Sequence, residues 1–598
     1  MHPPTALLCS AVLLLVSTTH LAADPAPSPT GRPNILIILA DDQGWGDLSI
    51  SGNTNLQTPR IDSLGRDGAW FDRFFVCPVC SPTRAEFLTG RYHLRGGVRG
   101  VSTGEERLDP SERTIAQAFL EAGYATGAFG KWHNGLQHPY HPNARGFQEY
   151  YGFCSGHWGD YFSPPLDHNG ETVQGHGFLT DDLTDHALQF MEQHRGGPFF
   201  CYVPFNTPHS PMQVPEEYWK RFADKELAMR HRDPEKEDVP KTRAALAMVE
   251  NIDWNVGRLL DKLDTLDLAD NTIVLYFSDN GPNSARWNDG MKGQKGSVDE
   301  GGVRSPLLIR WPGHIAPGTR LPQIAGAIDL LPTLTDLAGI PTGSTKPLDG
   351  RSLKPLLEGG TKAEWKDRSL ITHWAKKFSL RTQQYRLDNT GALFDMVADP
   401  GQRNDIAPTH AALVHKLQAE LDDFRKDMDP ILAAGPRPFT VGYAPLTPLP
   451  ARDGNPHGGI QRSANAPNCS FFTHWTGAAD DRITWDVEAG KAGNYEAVLH
   501  YTCAPADVGS TIELASRAGR TEAKITEAHD PPLRGAENDR VPRKGESLVK
   551  EFKPISLGRL PLAAGRDTLT LRALTVPGKR VVDVRMLELR LVETGLTK

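Results

Sequence analysis

At 598 residues the chain is too long for a single hydrophobic core, which implies two or three domains. Its 39% hydrophobic and 23% charged content is that of a soluble globular protein. A net charge of −8 argues against nucleic acid as a partner, because a phosphate backbone demands a basic face, yet it leaves room for a local basic pocket that holds a small anion.

Residues 1–23 read as a signal peptide: an apolar run from Ala6 to Val16, too short to span a bilayer, leads to "LAA" before Asp24. No later run reaches the roughly 18 apolar residues of a spanning helix, so the mature chain is expected to be exported, periplasmic or secreted, with no membrane span. From 24 to 345, short apolar runs alternate with helical stretches. Strands are predicted at 34–40 (NILIILA), 124–130 (YATGAFG), 199–205 (FFCYVPF) and 272–278 (TIVLYFS). Between the last two, Leu246, Val249, Ile252, Val256, Leu259 and Leu263 recur at three- and four-residue steps and predict an amphipathic helix over 243–263. This alternation predicts an α/β domain with a mostly parallel central sheet flanked by helices. Residues 346–430 read as a smaller α+β subdomain closed by the helix "ALVHKLQAELDDFRKDM", and the aperiodic, Pro- and Gly-rich stretch 431–458 as a linker. Beyond it, 459–598 alternates apolar and polar residues, the pattern of an appended all-β sandwich. Its Trp475, Trp485 and Tyr495 either fill the sandwich core or face a sugar.

Each predicted strand of the first domain runs into residues that carry chemistry. The first ends in Asp41-Asp42, the second in Lys131-Trp132-His133, the third leads to "NTPHSP" with His209, and the fourth ends in Asp279-Asn280. Ligands of open α/β sheets bind at the carboxyl ends of the strands, so these four ends point to one shared site. Asp41, Asp42, Asp279 and Asn280 form a hard-oxygen set suited to Ca²⁺, or less well Mg²⁺, although each pair by itself also serves to turn the chain. In "VCPVCSPTRAEFLTGRY", Ser81 as N-cap and Pro82 at the first helical position would set Cys80 at a helix N-terminus that favours an anion, with Arg84 about one turn in. The spacing of Cys77 and Cys80 is equally that of a redox pair, a disulfide or half a zinc site. Pairing of Cys469 with Cys503 is open. A lone Lys or His is usually solvated or structural. Lys131, His133 and His209 gain weight from their strand ends, and Lys295 from the glycine-dense loop "GMKGQKGSVDEGG" that it shares with Lys292.

In order along residues 33 to 430, "PNILIILADDQGWGDL", "CSPTRAEFLTGRY", "GYATGAFGKWH", "FNTPHSP", "SDNGPN" and "KGQKGSVDEGGVRSP" resemble the motifs of the type I, formylglycine-dependent sulfatases of the alkaline phosphatase superfamily. The second block is similar to the family's C-x-P-S-R signature, with Thr83 where the family usually has Ser. The resemblance implies that a formylglycine-generating maturation enzyme oxidises Cys80 to Cα-formylglycine. One hydroxyl of the aldehyde hydrate would then attack sulfur, and the other would expel sulfate. It further implies that Asp41, Asp42, Asp279, Asn280 and the modified Cys80 hold the divalent ion and that Arg84 orients the hydrate. Lys131, His209 and Lys295 would bind sulfate oxygens, His133 would assist collapse of the hydrate, and His209 would protonate the leaving oxygen. The K-G-x-x-x-E-G-G spacing selects Lys295 over Lys292. The sandwich lies outside the family core and looks like a carbohydrate-binding module, so a sulfated glycan is the expected substrate. His157, Trp158 and Asp160, in the loop 154–177, are expected to touch it. A phosphate or phosphonate monoester hydrolase, or a silent carbohydrate-binding homologue, remains as an alternative.

Overall fold

From its second residue on, NILIILA is apolar without a break, which suits a strand covered on both faces. β1 (Asn34–Ala40) is buried throughout. Leu36, Ile38 and Ala40 pack into one hydrophobic layer while Ile35, Ile37 and Leu39 pack into the other, the two-residue period of a strand. The computed structural model describes residues 1, 31–360 and 363–592, so the expected signal peptide, save Met1, lies outside the described residues.

The central sheet has 11 strands. In chain order they are β1, β2 (Ala69–Phe75), β3 (Ala125–Lys131), β4 (Glu149–Phe153), β5 (Pro165–His168), β6 (Glu171–Gln174), β7 (Phe199–Pro204), β8 (Thr272–Ser278), β9 (Arg304–Arg310), β10 (Thr319–Leu321) and β11 (Ala325–Gly326). Their spatial order is β10-β2-β9-β8-β1-β7-β3-β4-β5-β6, with β11 against β2. β8, β1, β7, β3 and β4 are mutually parallel, so their carboxyl ends open on one side. The predicted strands at 34–40 and 272–278 match β1 and β8, while β3 runs one residue later than expected and takes in Lys131. The amphipathic helix is longer than predicted, Val239–Thr265, started by the Asp238 carboxylate accepting from the Lys241 N–H at 3.1 Å. Its six periodic apolar residues are all buried.

Strands Leu370–Trp374, Lys377–Arg381, Tyr385–Leu387 and Leu393–Asp395 make the antiparallel sheet of the small subdomain, and the helix Ala411–Ala433 covers it with Leu417, Leu421 and Met428. After 433 the structure departs from the expected linker. Phe439–Val441 and Asn455–His457 pair with Arg482–Ala489, and Leu446–Pro450 pairs with Asp583–Leu591, so the segment is woven into both sheets of the sandwich. Prolines fit there because short and edge strands can spare a donor, and composition alone hides such strands. Trp475, Trp485 and Tyr495 fill the sandwich core rather than a sugar face, and Cys469 and Cys503 are free thiols.

The helix Cys80–Thr89 is buried along its whole length and ends on Gly90 at φ 67°. Burial pushes its Glu86 carboxyl up to about 8, against hydrogen bonds from Cys77 and the His93 N–H. The folded chain thus keeps a proton that the unfolded chain releases near ~4.3. This contribution to stability is complete below that value and is lost as the pH rises to about 8. Wild type is therefore expected to lose roughly 1.4 kcal/mol per pH unit relative to Glu86→Gln between about pH 5 and 8. Parallel denaturation curves of the two proteins check this; a stability gap that does not change with pH contradicts it.

Candidate active site

Two residues just beyond strand ends are held in left-handed backbone, Asp42 at φ 66° and His133 at φ 63°, a conformation that costs non-glycine residues about 1–2 kcal/mol and is tolerated where function needs it. Asp41, Asp42, Asp279 and Asn280 follow β1 and β8, which are neighbours, so the four side chains meet at one end of the sheet. All four are buried, as are Lys131, Arg84 and Cys80. Asp279 is committed twice. Its Oδ1 accepts from the Asp42 N–H at 3.2 Å, and its Oδ2 accepts from Arg84 Nε at 3.1 Å and Nη2 at 2.7 Å. Arg84 Nη1 also donates to the Lys131 carbonyl at 2.6 Å, tying the Cys80 helix to the end of β3.

Lys131 Nζ lies 2.7 Å from Asp41 Oδ2, and Lys295 Nζ 2.6 Å from Asp42 Oδ1, whose partner oxygen Oδ2 is 3.6 Å from His209 Nε2. Asn280 Nδ2 donates to Asp42 Oδ1 at 2.8 Å. Burial alone would raise the Asp42 pKa, but His209, Lys295 and Lys131 outweigh it and hold the carboxyl well below the usual range. Asp279 goes the other way: burial and the Asp41 charge push it up to about 6 despite Arg84.

Asp41 Oδ1 and Asn280 Oδ1 are buried oxygens with no hydrogen-bond donor among the described residues. Orphaned acceptors of this kind cost about 1–3 kcal/mol each, and a hard cation satisfies both. Asp41, Asp42, Cys80 and His209 each bring one ligand-type atom within 4.8 Å of the others. The residues present therefore fit a divalent cation. They also bring Cys80 to the carboxylates as expected, and add His209 to the same cluster.

The helix begins earlier than predicted: Cys80 is itself its first residue, Val79 is the N-cap, and no side chain caps it. Ser81 Oγ donates to the Glu106 carbonyl at 3.3 Å instead. Thr83 anchors the turn, its Oγ1 accepting from the Cys77 N–H at 2.8 Å and donating to the Asp279 carbonyl at 2.6 Å. The one departure from the signature motif thus keeps its hydroxyl at work. Burial pushes the Cys80 thiol far above its ordinary value, although Lys131 and Lys295 pull the other way. As a thiol, Cys80 is a poor nucleophile here.

His209 Nδ1 donates to the Ser210 carbonyl at 2.6 Å, which fixes the tautomer and leaves Nε2 toward Asp42. Burial lowers its pKa to about 4, partly offset by Asp42. His133 is arranged in the opposite sense. Its Nε2 donates to the Val101 carbonyl at 2.8 Å, and its Nδ1 is buried without a partner among the described residues, a lone pair able to take a proton. Burial and Lys131 keep the ring neutral.

Of the expected substrate contacts, only His157 reaches the site. Its ring stacks on His209 with centroids 5.8 Å apart, and its Nε2 is buried without a partner among the described residues. Trp158 instead stacks on Phe153, and Asp160 accepts from the Phe162 N–H and from Asn538 of the sandwich; their neighbours are protein, because the loop lies between two domains. Two groups escaped sequence reasoning. Arg286 holds Asp47 and donates from Nη2 to the Asp42 carbonyl at 2.9 Å, bracing the strained residue. Glu546, from the sandwich, lies against Ser210, His209 and His157; burial opposes its charge, but these groups hold it down to about 2. No local signal marks Glu546, because only domain packing brings it there.

Carboxylates, an amide oxygen, paired lysines and histidines at the carboxyl end of this sheet define an anion-handling hydrolase centre in an alkaline-phosphatase-like fold. The comparisons agree. The Sulfatase family model matches residues 33–340, just over half the chain, and the N-sulphoglucosamine sulphohydrolase C-terminal model matches 294–427. N-acetylgalactosamine-6-sulfatase of Mus musculus is 33% identical over 58% of this chain and 70% of its own length. Steryl-sulfatase of the same species is 30% identical over 69% and 79%. The crystal structure of Ps i-CgsB in complex with k-i-k-neocarrahexaose superposes with a TM-score of 0.60 at 30% identity, covering 66% of this chain and 93% of that one. The chain belongs to the sulfatase family of the alkaline phosphatase superfamily and is a sulfuric ester hydrolase.

Proposed function

We propose that the chain removes sulfate from a sulfated carbohydrate, through Cα-formylglycine made from Cys80 beside a bound Ca²⁺, and that it works outside the cytoplasm. The observation that carries this reading is the pair of donorless oxygens, Asp41 Oδ1 and Asn280 Oδ1, in a buried cluster with Cys80. Asp41, Asp42, Asp279 and Asn280 would hold the ion, with residue 80 as a further ligand; so many ligands from the protein suit Ca²⁺ better than Mg²⁺, which keeps several waters and takes one or two carboxylates. When bound, the cation supplies positive charge to the sulfate and to the group at residue 80. The carbohydrate preference is supported by relatives whose names or complexes carry N-acetylgalactosamine 6-sulfate and a neocarrahexaose.

The chain's own residues do the rest. Lys131 and Lys295 set two ammonium groups at the cluster, where they offset charge that spreads over the sulfate oxygens in the transition state. Arg84 fixes Asp279 and, through the Lys131 carbonyl, the position of β3 beside residue 80. His209 presents Nε2, the atom placed to protonate the leaving oxygen, and a bound anion favours its charged form. His133 Nδ1 is a proton acceptor, suited to collapse of the hydrate. Cys80 is 3% exposed, so the maturation enzyme must reach it before the chain folds.

The test is mass spectrometry of the Cys80 peptide from protein made with a formylglycine-generating enzyme, alongside sulfate release from sulfated oligosaccharides. The expected peptide has lost sulfur and two hydrogens and gained one oxygen, and the protein releases sulfate. An unmodified thiol in active protein overturns the formylglycine reading, and faster release of phosphate than of sulfate moves the chain to the phosphoesterase branch.

A further inference from the structure

A cleft of about 920 Å³ opens beside the buried cluster, at the upper end of the sizes that ligand pockets reach. Its wall includes Gly293 and Gln294, the residues just before Lys295, and Asn283, whose side chain donates to the carbonyl of Pro208, the neighbour of His209. The loops that carry two groups of the sulfate site are therefore also a wall of this cleft. Lys295 is the more exposed end of its ion pair, at 24% against 1% for Asp42.

The charge of the lining is lopsided. Lys236 pairs with Asp233, Lys544 with Asp238, and Lys292 with Asp299. Arg232, Lys241 and Arg403 line the same cleft and have no carboxylate partner among the described residues. Arg232 is nonetheless held in place, its Nη1 donating to the Gly401 carbonyl at 2.6 Å, while Nε and Nη2 make no hydrogen bond among the described residues. Lys241 Nζ rests near the Asn283 carbonyl at 3.4 Å. Three unmatched cations on a chain of net charge −8 are an uncompensated local field, which favours an anionic occupant. One of the six basic residues of this lining, Lys544, comes from the sandwich, so the appended domain contributes to the cleft as well.

We propose that this cleft is a subsite for a second anionic group, sulfate or carboxylate, on the same carbohydrate chain whose sulfate ester reaches Lys295, an inference that rests on the sulfatase reading of the adjacent centre. The substrate class is then a polyanionic oligosaccharide rather than a singly sulfated sugar. Arg232 and Arg403 supply N–H donors to the second anion, and Lys241 supplies charge between the two positions.

The experiment uses full-length Cys80→Ala protein, so that nothing turns over, and measures by calorimetry the binding of a sulfated dextran oligosaccharide and of its neutral parent. The sulfated probe is expected to bind, more weakly as salt rises, and the neutral one not. Adding Arg232→Ala and Arg403→Ala together should weaken the sulfated probe by about tenfold. Arg403→Glu alone, at an exposed position, keeps the test valid should the Arg232 change disturb the loop. Equal binding of both probes, or unchanged binding in the variants, overturns the subsite. Hydrolysis of a monosulfated aryl ester, measured in parallel with the cysteine intact, separates the two readings. Ester hydrolysis with unaltered polyanion binding sinks the subsite alone; no hydrolysis with cation-dependent binding sinks the sulfatase mechanism and leaves an anion site.

Discussion

Cys80→Ala is expected to lower sulfate release by more than about a thousandfold while the protein still folds. The thiol Sγ makes no hydrogen bond among the described residues, so its removal breaks no polar pair. The site loses only one buried atom, which costs about 1 kcal/mol or less. Catalysis, by contrast, loses the group that faces Asp41, Asp42 and His209 within 4.8 Å. The same geometry separates a thiol enzyme from a converted one. Burial pushes the Cys80 thiol far above its ordinary value, so an unconverted chain carries almost no thiolate near neutral pH. Activity should therefore scale with the fraction of residue 80 converted, measured by mass spectrometry on the same batches. A fully unconverted batch with full activity, or a Cys80→Ala variant that keeps a tenth of it, would refute the assignment.

Arg84→Ala should be the most damaging change to the scaffold of the site. The guanidinium is buried and gives two N–H groups to one oxygen of Asp279 and a third to the Lys131 carbonyl. Its removal leaves a buried carboxylate beside Asp41 without its hydrogen-bonded counter-charge, Lys131 acting on it only at longer range, and breaking such a pair costs about 3–5 kcal/mol. Arg84→Lys restores a point charge without the planar fork, so it should recover part of the stability and little of the activity. Thermal melting of the three proteins, with kcat on one sulfated substrate, checks both statements. A melting point within about 2 °C of wild type for Arg84→Ala would show that the pair carries no structural load.

The residues of the centre were legible at different depths. The strand-end acids announce themselves because a buried parallel strand is a short apolar run, and whatever follows it stands at the ligand-binding edge of the sheet; Cys80 and Arg84 stand out instead through the motif that contains them. Local order therefore settles which residues meet, even across more than 200 positions, as between Asp41 and Asp279. The helix start at Cys80 was less legible. Ser81-Pro82 has the composition of a cap and first turn, but Ser81 Oγ is drawn away by the Glu106 carbonyl.

What no stretch of sequence could reveal is how the sandwich meets the catalytic domain. Gln213 donates to the Gly535 carbonyl and to Asp539, Arg540 donates to the Val214 carbonyl, and Arg452 donates to Ser155 in the loop that carries His157. These contacts bring the appended domain to the site through Glu546 and to the neighbouring cleft through Lys544. They also account for Trp158 and Asp160, whose described neighbours are protein at the domain boundary. The order of residues along the chain sufficed for the fold class and for the metal-type oxygens, since both follow from short-range periodicity and from where a strand ends; the role given to Cys80 came from the resemblance of its motif. The neighbours that sequence reasoning missed, Arg286 and Glu546, and the unmatched cations of the adjacent cleft depended on long-range packing. Their positions arise from surfaces that become adjacent only after each domain has buried its own core, and such adjacency has no local periodicity to betray it.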